Sequence, residues 1–241
     1  MLKLVSINIE DEKHLERVSR FLDEERPEVL CLQELLEKDI SLFEEKFGCK
    51  GIFAPMGLVP SEGNPEGQVL GIGIFSHYPL SDVRSCYYAK YGDNLRLISN
   101  EAADPIDRPL LSAVIEKDGV SYTIGTTHFT WTPDGQANDR QREALGWFFE
   151  ALSGYEDIIF CGDINAPRGR ETFEKIANLY LDHIPEEYET SLDPELHSTK
   201  GSAAYMVDAL FSTPHYMTEN VRLQFGVSDH AAIVATIKKN P

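Results

Sequence analysis

The chain has 241 residues, 42% of them hydrophobic and 26% charged, a balance that suits one large globular domain and excludes a disordered or fibrous protein. Its formal net charge of -18 repels polyanions at long range and weighs against a non-specific grip on nucleic acid. The same surplus of acid leaves room for a bound cation, although most of the carboxylates, as in DEERPE and PEEYE, read as a solvated surface.

The opening MLKLVSINIE lacks the apolar core of a secretory signal, and no stretch is long and apolar enough to span a bilayer, so the expectation is a cytoplasmic protein. KLVSINI reads as a strand, Leu15, Val18, Phe21 and Leu22 recur at helical spacing before Pro27, and VLCLQEL is a second strand. A helix over Leu42 to Phe47 ends at Gly48. From Gly51 the strands are short, with VLGIGIF, RSCYYAKY, LLSAVIE and VSYTIGTTHF divided by Gly, Pro and Asp turns, and EKDGVSY predicts a hairpin between the last two. A helix over residues 137 to 152 presents Ala144, Leu145, Phe148 and Leu152 on one face. The strand DIIFCGDI, a short helix near Phe173 to Ala177, an irregular acidic stretch and the runs YMVDALFS, NVRLQFG and AAIVATIK complete the chain.

Residues 56 to 68 and 91 to 109 are expected to be long loops. No linker divides the chain, so residues 1–241 are expected to form a single domain with sheet packed on sheet and helices on the outer faces. Cys31, Cys49, Cys86 and Cys161 stand singly, without the spacing of a zinc site.

Polar side chains recur where apolar strand runs end: Asn8, Glu34, His128, Asp163, Asn165, Asp208, Asp229 and His230. Each alone has a structural explanation, as turn residue, helix cap or core histidine. Together, at the ends of strands that a sandwich brings to one rim, they specify a site. Carboxylate and amide oxygens without a Cys or HxH cluster form a hard ligand set, suited to Mg²⁺ or Mn²⁺. Asp163 and Asn165, two positions apart on an extended strand, are expected to point to the same side.

SINIE, CLQEL, SHYPL, TTHF, GDIN, MVDALF and SDH occur in the order found in the endonuclease/exonuclease/phosphatase superfamily, also called DNase I-like, which the chain resembles from residue 4 to residue 238. The resemblance implies an α+β fold, a four-layered α/β/β/α sandwich of two mixed, mainly antiparallel sheets. It implies Glu34 as the main metal ligand with Asn8 and Asp229 beside it. Asp163 and Asn165 are assigned to the attacking water and the phosphate, His230 to catalysis with Asp208 as its buried partner, and His128 to a non-bridging phosphate oxygen. The implied activity is Mg²⁺- or Mn²⁺-dependent hydrolysis of a phosphodiester or phosphomonoester by in-line attack of water. Alternatives are a DNA or RNA nuclease, a 5'-adduct end-processing phosphodiesterase, or a binding module that has lost catalysis. The partner is then a small phosphate ester or a nucleic-acid end, without extended duplex binding, and the family-typical state is a monomer.

Four substrate contacts complete the expectation. His77 stands where the family tends to carry arginine, and a turn role there outweighs catalysis. Arg140 and Arg142 begin the helix after THFTWTPDGQ, where a branch similar to tyrosyl-DNA phosphodiesterase carries Arg and Gln, and Arg142 has an equal alternative in pairing with acids of its own helix. Trp131 either covers a ligand or packs beneath its loop.

Overall fold

In the computed structural model, which describes residues 1–48, 50–61, 64–98 and 106–239, alternating polarity decides which way each strand faces. In β1 (Leu2–Asn8), Leu2 and Leu4 join one apolar cluster while Val5 and Ile7 join another, as a side-chain period of two requires. In β2 (Val29–Leu36), Val29 and Cys31 face the first cluster, and Leu30 and Leu32 the second.

With β3 (Ile52–Ser61), β4 (Asn64–Ser76), β11 (Tyr216–Gln224) and β12 (Ala232–Lys239), these strands form a six-stranded sheet in the order β11-β12-β1-β2-β4-β3. A second six-stranded sheet contains β5 (Leu80–Ala89), β6 (Arg108–Lys117), β7 (Val120–Thr127), β8 (Ile159–Asp163), β9 (Leu181–Asp182) and β10 (Asp208–Ser212), in the order β5-β6-β7-β8-β10-β9. β1 with β2 and β7 with β8 are parallel, and the remaining pairs are antiparallel.

The apolar clusters occupy the three interfaces of a four-layered sandwich. Between the sheets lie Leu4, Cys31, Ile72, Ile124, Ile159 and Leu210. Outside the first sheet, α1 (Leu15–Glu25) and α2 (Ile40–Phe47) pack Val18, Phe21, Phe43 and Phe47 against Leu30, Leu32 and Phe75. Outside the second, α3 (Asp139–Leu152) and α4 (Glu171–Ala177) pack Leu145, Phe148 and Phe173 against Leu110, Phe160 and Phe211.

Local signals place the element ends. Gly48 closes α2 at φ 64°, the Asn138 side chain accepts from the Gln141 N–H at the start of α3, and Asp118 and Gly119 turn β6 into β7 at φ 53° and 75°.

The expected loop over 56 to 68 is instead mostly a ribbon, because β3 and β4 pair antiparallel through Leu58–Val69 and Val59–Gln68. Pro, Gly and Glu in that stretch hid a strand pattern that hydrogen bonding at a sheet edge tolerates. Of the expected loop over 91 to 109, residues 99–105 lie outside the described residues, as does Cys49. Leu97 bridges Leu58, and Arg108 already belongs to β6.

Candidate active site

The inner faces of the two sheets turn from apolar to polar at one rim. Asn8 continues the inward row of Leu2 and Leu4, Asp163 that of Ile159 and Cys161, and Asp208 that of Leu210. Asp208 lies directly opposite Asp163 in the β8–β10 pair, and Asn8 opposite Gln33 in the β1–β2 pair. The Asn8 amide reaches Glu34 at 3.0 Å and, across the sandwich, Asp163 at 3.3 Å.

Glu34 arrives differently. The β2–β4 register slips by one residue between Leu32 and Leu35, and Glu34 sits in this bulge at φ 56°. The extra residue lets neighbouring polar side chains both avoid the helical layer: Gln33 donates to Thr126 of the opposite sheet at 2.9 Å, and Glu34 lines the rim cavity.

Asn165 departs from the sequence expectation. β8 ends at Asp163, and Asn165 is in the left-handed region at φ 52°, so the two side chains are not placed by a common extended strand. A tight turn brings them together: Asp163 accepts the Asn165 N–H at 2.7 Å, while the Asn165 amide donates to the Phe129 carbonyl at 3.0 Å. Gly162 supports this geometry at φ 132°, since a Cβ there would lie 2.1 Å from the Thr127 carbonyl oxygen.

His230 precedes β12, and its Nδ1 lies 2.7 Å from Asp208 Oδ2, leaving Nε2 3.9 Å from Asp163. Burial opposes charge on this imidazole, yet Asp208, Asp163 and Asp229 outweigh it and hold its pKa well above the usual range. His128, just after β7, is held the other way: burial, Arg108 and His230 push its pKa well down, so it is neutral. Its Nε2 lies 3.5 Å from Asp163 and 3.9 Å from Glu34, and its buried Nδ1 has no hydrogen-bond partner among the described residues. Burial, with Asp208 and Glu34 adding repulsion against the relief from His230, pushes Asp163 up to about 7. Burial likewise raises Glu34 and Asp229.

These groups surround a cavity of about 630 Å³ that also contains Arg108, Arg140, Trp131, His197, Glu10 and Lys13. Asn8 and Asp208 support it from behind through Glu34, Asp163 and His230. A separate hollow of about 520 Å³, between Arg17, Asp193 and Phe225, holds none of the expected site residues.

Of the four expected substrate contacts, Arg140 and Trp131 line the cavity, with Trp131 48% exposed and Arg140 over the Tyr91 ring at 5.3 Å. Arg142 does not: its guanidinium is tied to both oxygens of Glu171 at 2.8 Å and to Asp139 at 3.0 Å. His77 is also elsewhere. It follows Ser76, which pairs with Val29 at the far end of β2 from Glu34, and there it stacks on Phe47 at 4.7 Å and bonds the Phe47 carbonyl at 3.1 Å.

Sequence reasoning missed Arg108 and His197. Arg108 opens a strand rather than ending one, although a charge separated only by Pro109 from the apolar run LLSAVI was a usable signal. His197 lies in the acidic stretch without periodicity. One of its ring nitrogens stands within 4.8 Å of ligand atoms of both Asp229 and His230, and Glu10, His14 and Asp229 form a similar group. The Nδ1 of His197 lies 2.9 Å from Thr199 Oγ1 and 3.2 Å from the Thr199 backbone nitrogen, which fixes the ring with Nδ1 turned to Thr199.

A family model described as "Endonuclease/Exonuclease/phosphatase family" matches residues 6–230. No curated protein sequence matches the chain. Among solved structures, an endonuclease/exonuclease/phosphatase from Beutenbergia cavernae DSM 12333 superposes with a TM-score of 0.76 at 16% identity, covering 99% of this chain and 72% of that one. A mannosyl-6-phosphatase from Bacteroides thetaiotaomicron VPI-5482 gives 0.67 at 11% identity, with 99% and 100% covered. A humanized D. rerio TDP2 gives 0.65 at 17% identity, with 99% of each covered. At these identities the likeness establishes the shared fold.

Proposed function

This chain belongs to the endonuclease/exonuclease/phosphatase family, and on that footing we propose that it is a divalent-metal-dependent phosphoesterase that hydrolyses its ester by in-line attack of water. The observation that carries the reading is the opposed protonation of buried neighbours: Asp163 near 7, His230 held charged and His128 held neutral, all at one cavity.

A metal fits the donor set. Glu34, Asp163 and Asp229 have no Lys or Arg within 4.0 Å among the described residues, and the charged His230, 3.9 Å from Asp163, is set against all three carboxylates. Glu34 and Asp229 would hold Mg²⁺ or Mn²⁺, while the Asn8 amide, whose NH₂ faces Glu34 at 3.0 Å and Asp163 at 3.3 Å and whose oxygen accepts the Glu10 N–H at 3.2 Å, positions those carboxylates rather than binding the ion. The bound ion supplies charge neutralisation on phosphoryl oxygens.

The chain's own groups do the rest. Asp163, whose pKa burial pushes up to about 7 in the metal-free protein, accepts the proton of the attacking water, and the Asn165 turn fixes its carboxylate. His230, oriented by Asp208, donates from Nε2 to a phosphoryl oxygen. Neutral His128 adds a further contact to the phosphate.

The reading takes residues 1–241 as one domain, acting as a cytoplasmic monomer on a small phosphate ester or a nucleic-acid end. In its support, the net charge is -18 and no helix among the described residues is long and apolar enough to cross a membrane. A second reading, an end-processing phosphodiesterase, is favoured by Trp131, an exposed ring at the cavity edge suited to stacking. The test is metal-dependent hydrolysis by wild type and Asp163→Ala on a phosphomonoester, a phosphodiester, a 5'-adduct oligonucleotide and single- and double-stranded DNA. Activity lost in Asp163→Ala supports a phosphoesterase, preference for the oligonucleotide selects the second reading, and equal activity in the variant refutes the assigned role.

A further inference from the structure

The cavity has two chemically different halves. One holds Asp163, His230, Asp229 and His197; the other is walled by Met56, Val59, Leu70, Ile98 and Ile106, with Arg108 at its edge. The apolar wall is built on the β3–β4 ribbon and fixed by main-chain bonds. Leu58 N–H donates to the Arg96 carbonyl at 2.8 Å, Ile98 N–H to the Leu58 carbonyl at 2.7 Å, and Asp107 N–H to the Met56 carbonyl at 3.0 Å. Gly57 permits the approach, since a Cβ there would meet Ile98 Cγ1 at 2.9 Å. Met56 and Ile106 also belong to the core between the sheets, so this wall is a rigid extension of the packed interior.

Arg108 is only 6% exposed, and one of its guanidinium nitrogens donates to the His128 carbonyl at 2.9 Å. Its Nε has no hydrogen-bond partner, and no carboxylate lies within 4.0 Å of it among the described residues. A buried cation with no carboxylate in contact is costly; Asp163 and Glu34 act on Arg108 only from beyond 4.0 Å, and it faces the cavity beside the hydrolytic groups. The five wall side chains offer no hydrogen-bond donor, and their only weak acceptor is the Met56 thioether. A sugar or inositol ring placed there would lose water from its hydroxyls without compensation, whereas a hydrocarbon or aryl group would gain from burial.

We propose that the substrate is a phosphate ester of an apolar or aromatic alcohol, with that group on the wall of Met56, Val59, Leu70, Ile98 and Ile106 and an anionic oxygen of the phosphate on Arg108. This rests on the phosphoesterase reading for turnover, while the binding preference stands independently of it. Titration calorimetry with Mg²⁺ present compares benzylphosphonate with methylphosphonate, neither of which is hydrolysed. Benzylphosphonate binds at least tenfold tighter to wild type, Val59→Asn or, if that variant does not fold, Ile98→Asn reduces the ratio below threefold, and Arg108→Met weakens both ligands at least tenfold. Equal affinity of the two ligands for wild type, or a ratio unmoved in the folded wall variant, overturns the proposal. Hydrolysis of benzyl phosphate and glucose 6-phosphate, which both release a primary alcohol, separates the two ideas. No turnover of either with the binding ratio intact removes the enzyme reading and leaves the subsite, while glucose 6-phosphate turned over as well as benzyl phosphate removes the proposed selectivity and leaves the enzyme.

Discussion

Asp163→Asn stabilises the metal-free protein at pH 8. A carboxyl that titrates near 3.8 when unfolded and at about 7 when folded takes up a proton on folding, so its contribution favours the fold at low pH and is lost as the pH rises from about 4 through about 7. The interval of about three units, at 1.36 kcal/mol per unit, makes the charged form cost about 4 kcal/mol. Asparagine removes the charge and keeps an acceptor for the Asn165 N–H, but it turns an NH₂ toward the Asn8 amide and deprives His230 of a neighbouring charge. These losses return about 2 kcal/mol, leaving a net gain of about 2 kcal/mol, or about 4–8 °C in Tm for a chain of this size. Thermal unfolding followed by circular dichroism, with chelator present, measures the gain at pH 8, and at pH 5 it falls close to zero because wild-type Asp163 is then largely protonated. A variant less stable than wild type at pH 8, or a difference that does not change between the two pH values, would refute the placement of a buried charge at this rim.

Asp208→Asn lowers kcat/KM by about a hundredfold or more, since His230 loses both its orientation and the charge that keeps it protonated; the alkaline limb of the pH profile moves to lower pH, a displacement that simple loss of fold does not produce. Saturating Mg²⁺ or Mn²⁺ raises Tm, by about 2.7 kcal/mol of stability at a hundred times Kd, and the rise is larger at pH 8 than at pH 5 because protons compete for the raised carboxyls of Glu34, Asp163 and Asp229. Arg142→Ala leaves kcat/KM within about twofold, because the guanidinium is engaged with Glu171 and Asp139 at the surface, where solvent screens the pair. A loss of activity with unchanged Tm would return Arg142 to the site.

The inward-facing groups were legible because they obey the arithmetic of a strand. Asn8, Asp163 and Asp208 each continue an apolar row of period two beyond its last apolar member, and a buried polar residue in such a position needs either a partner or a task. What the period cannot encode is a break in it. Glu34 has the parity of the outward row, and only the bulge between Leu32 and Leu35 brings it to the cavity. Asn165 reaches the same cavity through a left-handed turn, although an uninterrupted strand would have predicted the same outcome for a different reason. Both residues have positive φ values, an unusual backbone state outside glycine that costs of order 1–3 kcal/mol and persists only where surrounding contacts fix it. His77 and Arg142 show the converse: motif proximity put them near the site in sequence, while the antiparallel return of β4 carried one to the opposite sheet end and an acid on α4 held the other outward. Arg108 is the more instructive omission. A lone arginine at the start of a strand is no cation ligand, yet a site for a phosphate must neutralise an anion as well as hold a metal, and the described residue that meets this need while buried and without a carboxylate in contact is Arg108.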